Sequence, residues 1–525
     1  MAMDRKIIVA ALCLSSMGAM AQETYENAQL ATEDLNGTAR YIGMGGAMEA
    51  LGADISTIGT NPAGIGLFRK SWVGISGGAT FQSGDAVSPD GGFVTGMFGD
   101  NSVANADLNQ LGFVYSTQCG SESWFNLGVN YHKSRNFNMI ANAIGSMAAG
   151  SSLNALSVGR YVKYGEESMA DILIYDALNY HLSETLMDEN NEEYIDYGYC
   201  DADKYLARYD NSGYISEFDI NFSGNFNNRV FLGVTLGLKD VHYDGSTYYK
   251  EGLLFSDGGT GELSFADTRL ITGTGFDIKF GIIYRPVESS PFRIGAYIHT
   301  PTWYDLDAAI GMAASSSLSS DGVQALDYEY KYKMTTPWKF GLSVGHTIDN
   351  KVALGATYEY ADYASIKNKI VFDDDHEVYS QDYDMDNNTK HSLQGVSTLK
   401  VGVEVKPVPE VALRMGYNYV SPMYKAYAAK DPDISPAEDG SNGSFFSTYD
   451  YVNWKATHRL TFGLGFALTQ NLNLDLSYQY ATQKGDYYPF TSNGMSVEGL
   501  DINGGVPTAL KNDRHQINAT LGYRF

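Results

Sequence analysis

Leu460-Thr461-Phe462-Gly463-Leu464-Gly465-Phe466-Ala467-Leu468 is followed, after Thr469-Gln470-Asn471, by Leu472-Asn473-Leu474-Asp475-Leu476-Ser477-Tyr478-Gln479-Tyr480. In both runs the large apolar side chains take every second position, the period at which successive side chains leave opposite faces of an extended strand. The three polar residues between the runs read as a tight hairpin. The same dyad returns at Val230, Leu232, Val234, Leu236 and Leu238, at Val352, Leu354, Ala356, Tyr358 and Tyr360, and at Val411, Leu413, Met415, Tyr417 and Tyr419. Several of these apolar faces end in tyrosine. A bilayer explains that placement, because aliphatic side chains suit hydrocarbon and an aromatic ring with a polar tip suits the interface. A soluble sandwich gives tyrosine no reason to gather at one end.

Connection lengths carry an independent argument. Short turns fall at 118–123, 226–229, 286–291, 347–351, 407–410 and 469–471, and long polar connections fall roughly at 136–212, 242–273, 304–327, 362–397, 422–455 and 482–512. Short and long alternate, as periplasmic turns and external loops do around an outer-membrane barrel. Counting the strands between them predicts an all-β fold: a transmembrane antiparallel barrel of about 14 strands with both ends in the periplasm. The last strand, Ile517, Ala519, Leu521, Tyr523 and Phe525, ends in an outward aromatic, and Phe525 there resembles the signal read by the barrel-assembly machinery. Within 136–212, the Ala, Met and Ser content of 139–156 and the apolar rhythm of 169–180 predict a partly helical outer excursion, with a plain mobile loop as the alternative.

Arg5 and Lys6 precede an apolar run from Ile7 to Met17, and Ala19-Met20-Ala21 has the small-x-small form of a cleavage site, so residues 1–21 read as a signal peptide and the mature chain is expected to begin near Gln22. That run is shorter than the roughly 20 residues a spanning helix needs. Any membrane crossing by the mature chain is therefore by a closed barrel, since only helices and barrels satisfy every backbone group in hydrocarbon. Cys119 and Cys200 are expected on opposite sides of the membrane and unpaired. A net charge of -26 argues against a nucleic-acid partner. The 39 tyrosines and 56 glycines suit a barrel with aromatic girdles, although a soluble β-sandwich also accommodates them.

Before the first strand lies a block rich in small residues, from Gly37-Thr38-Ala39-Arg40-Tyr41-Ile42-Gly43-Met44-Gly45-Gly46 through Gly52-Ala53-Asp54 to Asn61-Pro62-Ala63-Gly64 and Phe68. Gly43, Gly45, Gly46 and Gly52 permit close backbone packing inside a lumen. Asn61 can bond the local backbone while Pro62 fixes the chain direction ahead of Ala63, making a corner; an ordinary polar turn before a strand is the plainer reading. The block resembles the N-terminal hatch of the FadL/TodX family of outer-membrane transporters, in which a glycine-rich turn, a short helix over an Ala-Asp pair and an Asn-Pro-Ala motif lead into the first strand.

The resemblance implies a plug over residues 22–70 inside a barrel over 71–525, located in the outer membrane of a Gram-negative bacterium. It also implies passive, plug-gated uptake of long-chain fatty acids or other hydrophobic small molecules, which leave when the plug shifts or through a gap in the wall. Outer-membrane lipid and lipopolysaccharide are the expected surroundings. Gly128, in the third strand, is a candidate kink for the gap; an ordinary lumen-facing glycine fits equally. Tyr297-Ile298-His299-Thr300-Pro301-Thr302-Trp303-Tyr304 and Thr336-Pro337-Trp338-Lys339-Phe340-Gly341 each place a Pro and a Trp near the outer half of the barrel and are also family-like. One rival keeps the fold and assigns it to type IX secretion or surface-protein assembly. An apolar cavity between plug and wall favours a hydrophobic ligand, whereas a lumen polar throughout favours a porin.

No catalytic, metal or cofactor site is expected. Gly43-Met44-Gly45-Gly46 lacks the strand that precedes a dinucleotide fingerprint. Gly74-Ile75-Ser76-Gly77-Gly78 falls inside a strand and not at a nucleophile elbow. Asp382, Asp384 and Asp386 imitate a calcium loop, but Asn387 replaces its glycine and Leu393 its bidentate Glu; with Asp373, Asp374 and Asp375 they read as a solvated acidic loop, loose divalent binding being the alternative. The nine histidines have no metal-ligand spacing.

Overall fold

The computed structural model describes residues 24–83, 102–147, 151–164, 169–188, 193–319, 323–373, 378–430, 449–490, 496–497, 500–501 and 507–525. The leader expected over 1–21 lies outside them, as do Asp374 and Asp375.

The wall begins with β1 (Trp72–Ser83), β2 (Ser102–Gln118), β3 (Trp124–Asn136), β4 (Asp201–Phe226), β5 (Val230–Leu254), β6 (Thr260–Tyr284) and β7 (Arg293–His299). It continues with β8 (Lys339–Ile348), β9 (Val352–Asp362), β10 (Gly395–Val408), β11 (Val411–Val420), β12 (Tyr451–Ala467), β13 (Leu472–Tyr488) and β14 (Thr508–Arg524). These strands form a closed 14-strand antiparallel ring. Each pairs with its predecessor, and β14 returns to β1 with Trp72 opposite Arg524 and Ser83 opposite Asp513. An antiparallel ring closes only with an even number of strands, and closure leaves no row of unpaired backbone groups. At the short-turn end, Asn227-Asn228 and Asp349-Asn350 take positive φ, and Arg229 N donates to Phe226 O and Lys351 N to Ile348 O. Such two-residue turns match the right-handed twist of the strands they join.

The apolar dyads face outward. On β12, Leu460, Phe462 and Leu464 are exposed while Thr461 is buried, and on β14 Ile517, Leu521 and Tyr523 are exposed while Asn518 and Thr520 are buried. In water such a belt is untenable; facing lipid it is what holds the ring in place, and the chain is an outer-membrane β-barrel.

Above the belt the wall does not stop. β4, β5 and β6 run for 26, 25 and 25 residues, so most of the connection expected over 242–273 is paired strand. Register is kept but polarity inverts: Val241, Tyr243, Tyr249 and Leu253 of β5 are buried inward, while Asp240, His242 and Asp244 face out. The outer extension therefore has an apolar interior, like a soluble protein. Into it fold the excursion helices Leu153–Tyr164 and Met169–Ile174, whose Leu153, Leu156, Leu173 and Ile174 join one apolar cluster with Tyr249, Phe265, Leu306 and Ile310. The excursion is thus partly helical, but Met139–Ser146 pairs with β4 as a strand, because pairing with an available partner outweighs the helix preference of Ala and Met. Cys119 is exposed and Cys200 buried, and both are free.

Three neighbouring strands break at one height. Trp303–Ser316 continues β7 along β6 after Thr300-Pro301-Thr302, Gln324–Thr335 leads into β8 through Thr336-Pro337-Trp338, and a turn at Tyr363–Ser365 separates β9 from Lys367–Asp373. Proline has no N–H for the ladder. Threonines bridge the break, Thr302 N donating to Thr336 Oγ1 at 2.8 Å and Thr336 N to Thr302 O at 3.1 Å. Trp303 and Trp338 point outward there.

Inside the ring lies the N-terminal segment, with α1 (Thr24–Leu30), α2 (Ala39–Gly43) and two short 3-10 turns over Ile55–Gly59 and Pro62–Leu67. Its backbone rests directly on wall glycines. Gly345, Gly355, Gly402 and Gly416 stand opposite one another on β8 to β11, and a Cβ on Gly402 or Gly416 would meet Met44 O or Gly45 N at 2.2 Å. Gly45 and Gly46 have φ of +63° and +80°, a conformation that seats the turn only as glycine.

Replacing Gly416 with Val is therefore expected to cost more than the roughly 3 kcal/mol of ordinary overpacking, because the clash is with backbone. Loss of heat-modifiable gel migration, or new tryptic cleavage at Arg40, would register the unseated segment. Gly120→Ala, in an exposed turn with nothing nearer than 3.6 Å to the new Cβ, should behave as wild type.

Candidate functional site

Charged residues of the N-terminal segment meet the opposite charge on the wall. Glu26 pairs with Arg269, and Glu33 with Lys239 at 3.1 Å and Lys339 at 2.5 Å. Asp34 lies 3.0 Å from Arg135, 3.5 Å from Arg514 and 3.9 Å from Arg459. Arg40 meets Glu404 at 3.1 Å, which Arg414 shares at 2.6 Å, and Glu49 takes Lys400 at 2.9 Å. Burial alone would raise the carboxyl groups of Glu33 and Asp34; Lys339 and Lys239 in one case, and the three arginines in the other, hold them below the usual carboxylate range, so both stay ionised.

Behind Glu33 the network runs into the wall. Lys239 also touches Glu217 at 3.5 Å and Asp277 at 3.4 Å, and Lys279 reaches Glu217, Asp219 at 3.3 Å and Asp277 at 3.0 Å. His132, Glu217 and Asp219 bring ligand atoms within 4.8 Å of one another. The Lys279 ammonium already bonds both carboxylates, so this group is a charge network with its cation built in.

Where the polar lumen meets the apolar outer interior, a cavity of about 270 Å³ opens between the segment and the wall. Its floor carries Glu33, Asp34, Lys133, Arg135, Lys339, Arg459 and Arg514, and Phe137, Met139, Tyr363, Val396, Met423, Tyr424 and Trp454 supply its apolar lining. Three guanidiniums converge on one carboxylate, which leaves surplus positive charge. Arg135 Nε and Arg514 Nε are buried without a hydrogen-bond partner among the described residues. Buried donors of this kind ordinarily have an acceptor, and the cavity is where one has room.

The residues singled out in the sequence form the seat of the segment and not the cavity. Gly43 packs on Gly463 of β12, a Cβ there meeting Gly463 Cα at 2.9 Å. Asn61 is fully buried; its side chain accepts from Ala63 N at 3.2 Å and donates to Glu49 O at 3.1 Å. Pro62 opens the second 3-10 turn, and Ala63 packs on Phe231 and Ile283. Gly128 pairs with Val114 and Asn221, facing Ile58 and Ile65 of the segment; the register of β3 against β4 slips further along, between Lys133 and Arg135. Ser76 of the G-x-S-x-G run bonds Thr520 Oγ1. Asp382 caps the helix Tyr383–Ser392, and Asp386 takes Lys367 at 2.9 Å. Arg135, Arg459 and Arg514 escaped sequence reading because hundreds of residues separate the first from the others; their one signal is charge on the inward, otherwise polar, dyad.

A family model described as the OmpA-like transmembrane domain matches residues 311–525. Among solved structures, the chain is similar to the Ralstonia pickettii toluene transporter TbuX, with 13% identity and a TM-score of 0.47 over 94% of this chain and 99% of that one. It is similar to the P. putida toluene transporter TodX, with 12% identity and a TM-score of 0.46 over 94% and 99%. A Pseudomonas aeruginosa FadL homologue gives 13% and 0.49 over 94% and 100%. No curated protein matches.

Removing Lys239 would leave Glu33 to Lys339 alone and Glu217 and Asp277 to share Lys279, a loss of up to the roughly 3–5 kcal/mol that a broken buried pair costs. Lys239→Met is expected to lower the denaturant midpoint in detergent and to add open events to planar-bilayer recordings. Lys204→Met, on an exposed side chain, should change neither.

Proposed function

We propose that the barrel admits hydrophobic small molecules inward across the outer membrane by passive diffusion gated by the N-terminal plug, and that its preferred cargo is a long-chain fatty acid. The observation that carries this is the cavity itself, with aromatic and methionine side chains on one side and a cluster of arginines on the other. An alkyl chain gains by leaving water for the first, and a carboxylate satisfies the second, where guanidinium and carboxylate match as charge-assisted pairs. The glycine-rich block and the Asn61-Pro62-Ala63 corner support the same reading through their resemblance to the FadL/TodX hatch.

Cargo enters between the outer loops, lodges with its carboxylate at Arg135, Arg459 and Arg514, and competes with Asp34 for them. That competition loosens one of the ties holding the segment to the wall. The adjoining break at Thr300–Thr302 and Thr336–Trp338 offers a lateral way out, because proline removes ladder donors there and one of the two bonds that bridge it is to a threonine side chain. The exposed terminal Phe525 is assigned to recognition by the assembly machinery during insertion.

Uptake of radiolabelled oleate by cells carrying Arg459→Ala/Arg514→Ala is expected to fall at least tenfold, while entry of toluene, which has no carboxylate, stays near wild type. Equal loss of both would remove the arginines from cargo recognition, and oleate uptake unchanged by the substitutions would sink the fatty-acid assignment. Oxidising a Thr302→Cys/Thr336→Cys pair should block uptake reversibly if exit is lateral.

A further inference from the structure

Above its tyrosines, the outward face of β12, β13 and β14 carries a row of lysines that the lumen does not use. Lys484 on β13 stands directly opposite Lys511 on β14. Lys455 sits in the bulge of β12, where the register slips between Trp454 and Thr457 against the same stretch of β13. All three are exposed. Like charges directly opposite across two strands repel and destabilise the pair. Lys455 bonds Asp486 at 2.8 Å and Lys511 bonds Asp513, but among the described residues Lys484 has no carboxylate, so one uncompensated ammonium stands between two others.

Below this row lie two matching aromatic groups. His458 packs on Tyr419 and shares a hydrogen bond between its Nδ1 and Tyr417 Oη at 2.7 Å. His515 packs on Tyr480 and does the same with Tyr478 Oη at 2.8 Å. With Nδ1 engaged, each imidazole keeps Nε2 for a partner from outside. Lower still come Leu460, Leu476, Ile517 and Leu521 of the lipid-facing belt. Lys511 is four residues beyond His515, about 10 Å further out at ordinary strand rise and tilt.

From the membrane core outward, the wall thus presents hydrocarbon-facing aliphatics, then tyrosine and histidine, then clustered ammonium groups. That is the order of acyl chain, polar linkage and phosphate in a phosphorylated lipid, and it occurs on a chain whose net charge is -26. We propose that this face binds a phosphorylated lipid of the outer leaflet, its phosphates on Lys455, Lys484 and Lys511 and its linkage region at His458 and His515. The bound phosphate gives Lys484 the counter-charge that Asp486 and Asp513 already give Lys455 and Lys511. A lipid is the occupant, not free phosphate, because the row stands directly over the belt that accepts its chains. The inference rests on the outward wall facing lipid and is independent of what the lumen carries.

The full chain in detergent micelles, titrated with bisphosphorylated lipid A and followed by native mass spectrometry, tests it. Wild type is expected to retain this lipid and to bind its dephosphorylated form at least tenfold more weakly. Lys484→Glu/Lys511→Glu is expected to lose lipid A binding by roughly tenfold or more, while Lys351→Glu on the periplasmic turn leaves it unchanged. Lys484→Gln, with folding checked by heat-modifiable migration, should show an intermediate loss even if the double variant does not assemble. Equal binding of the two lipid forms, displacement by equimolar inorganic phosphate, or wild-type binding by a folded Lys484 variant would each overturn the proposal. Oleate uptake should be unaffected by these substitutions, which separates this test from that of the cargo.

Discussion

Everything in this barrel follows from one requirement: a backbone placed in hydrocarbon has no water to bond and must satisfy its N–H and C=O groups within itself. Fourteen strands do so by closing β14 onto β1. Closure then dictates the rest of the inventory. One face of every strand meets lipid and is aliphatic, with aromatics at its margins; the other meets a lumen that must be filled or left wet. Here it is largely filled, and the filling works because the wall supplies glycine where the plug backbone arrives, at Gly402 and Gly416 against Met44 and Gly45.

The same wall changes solvent part-way along its length. Within the bilayer, β5 turns Leu232, Leu236 and Leu238 outward; beyond it the outward positions become Asp240, His242 and Asp244, and the apolar residues move inward to Val241 and Tyr243. No register slip accompanies the change, only a switch in which face water touches. The consequence is a lumen polar at membrane depth and apolar above, and the cavity bounded by Arg135, Arg459 and Arg514 on one side and Phe137, Tyr424 and Trp454 on the other lies at that boundary. That boundary is what the proposed function assigns to an amphipathic cargo.

The plug is held by charge as well as by shape. Buried ion pairs add little net stability, since desolvation offsets most of the Coulomb gain, but an unmatched partner is expensive, so they select one position over others. Glu33 between Lys239 and Lys339, and Glu49 on Lys400, specify where the segment sits. Asp34 differs from these, because three arginines face its one carboxylate, and its tie is the one the proposed function has an anionic cargo contest.

Local periodicity determined a great deal. The dyads of 460–480, the tyrosines at their ends and the alternation of short and long connections specified a closed antiparallel barrel, because a side-chain period and a turn length are set by neighbours in the chain. The glycine block and Asn61-Pro62-Ala63 were legible as a packed corner for the same reason. Tertiary structure alone decided the extent of the strands beyond the membrane, which the sequence hid because the dyad inverts polarity there. It also placed a break in the wall at Pro301 and Pro337, since a break depends on which ladder bonds the neighbouring strand can offer. The arginine site is likewise tertiary: Arg135 and Arg514 approach one carboxylate only because ring closure brings the two ends of the chain together, and no local pattern encodes a contact made across that distance.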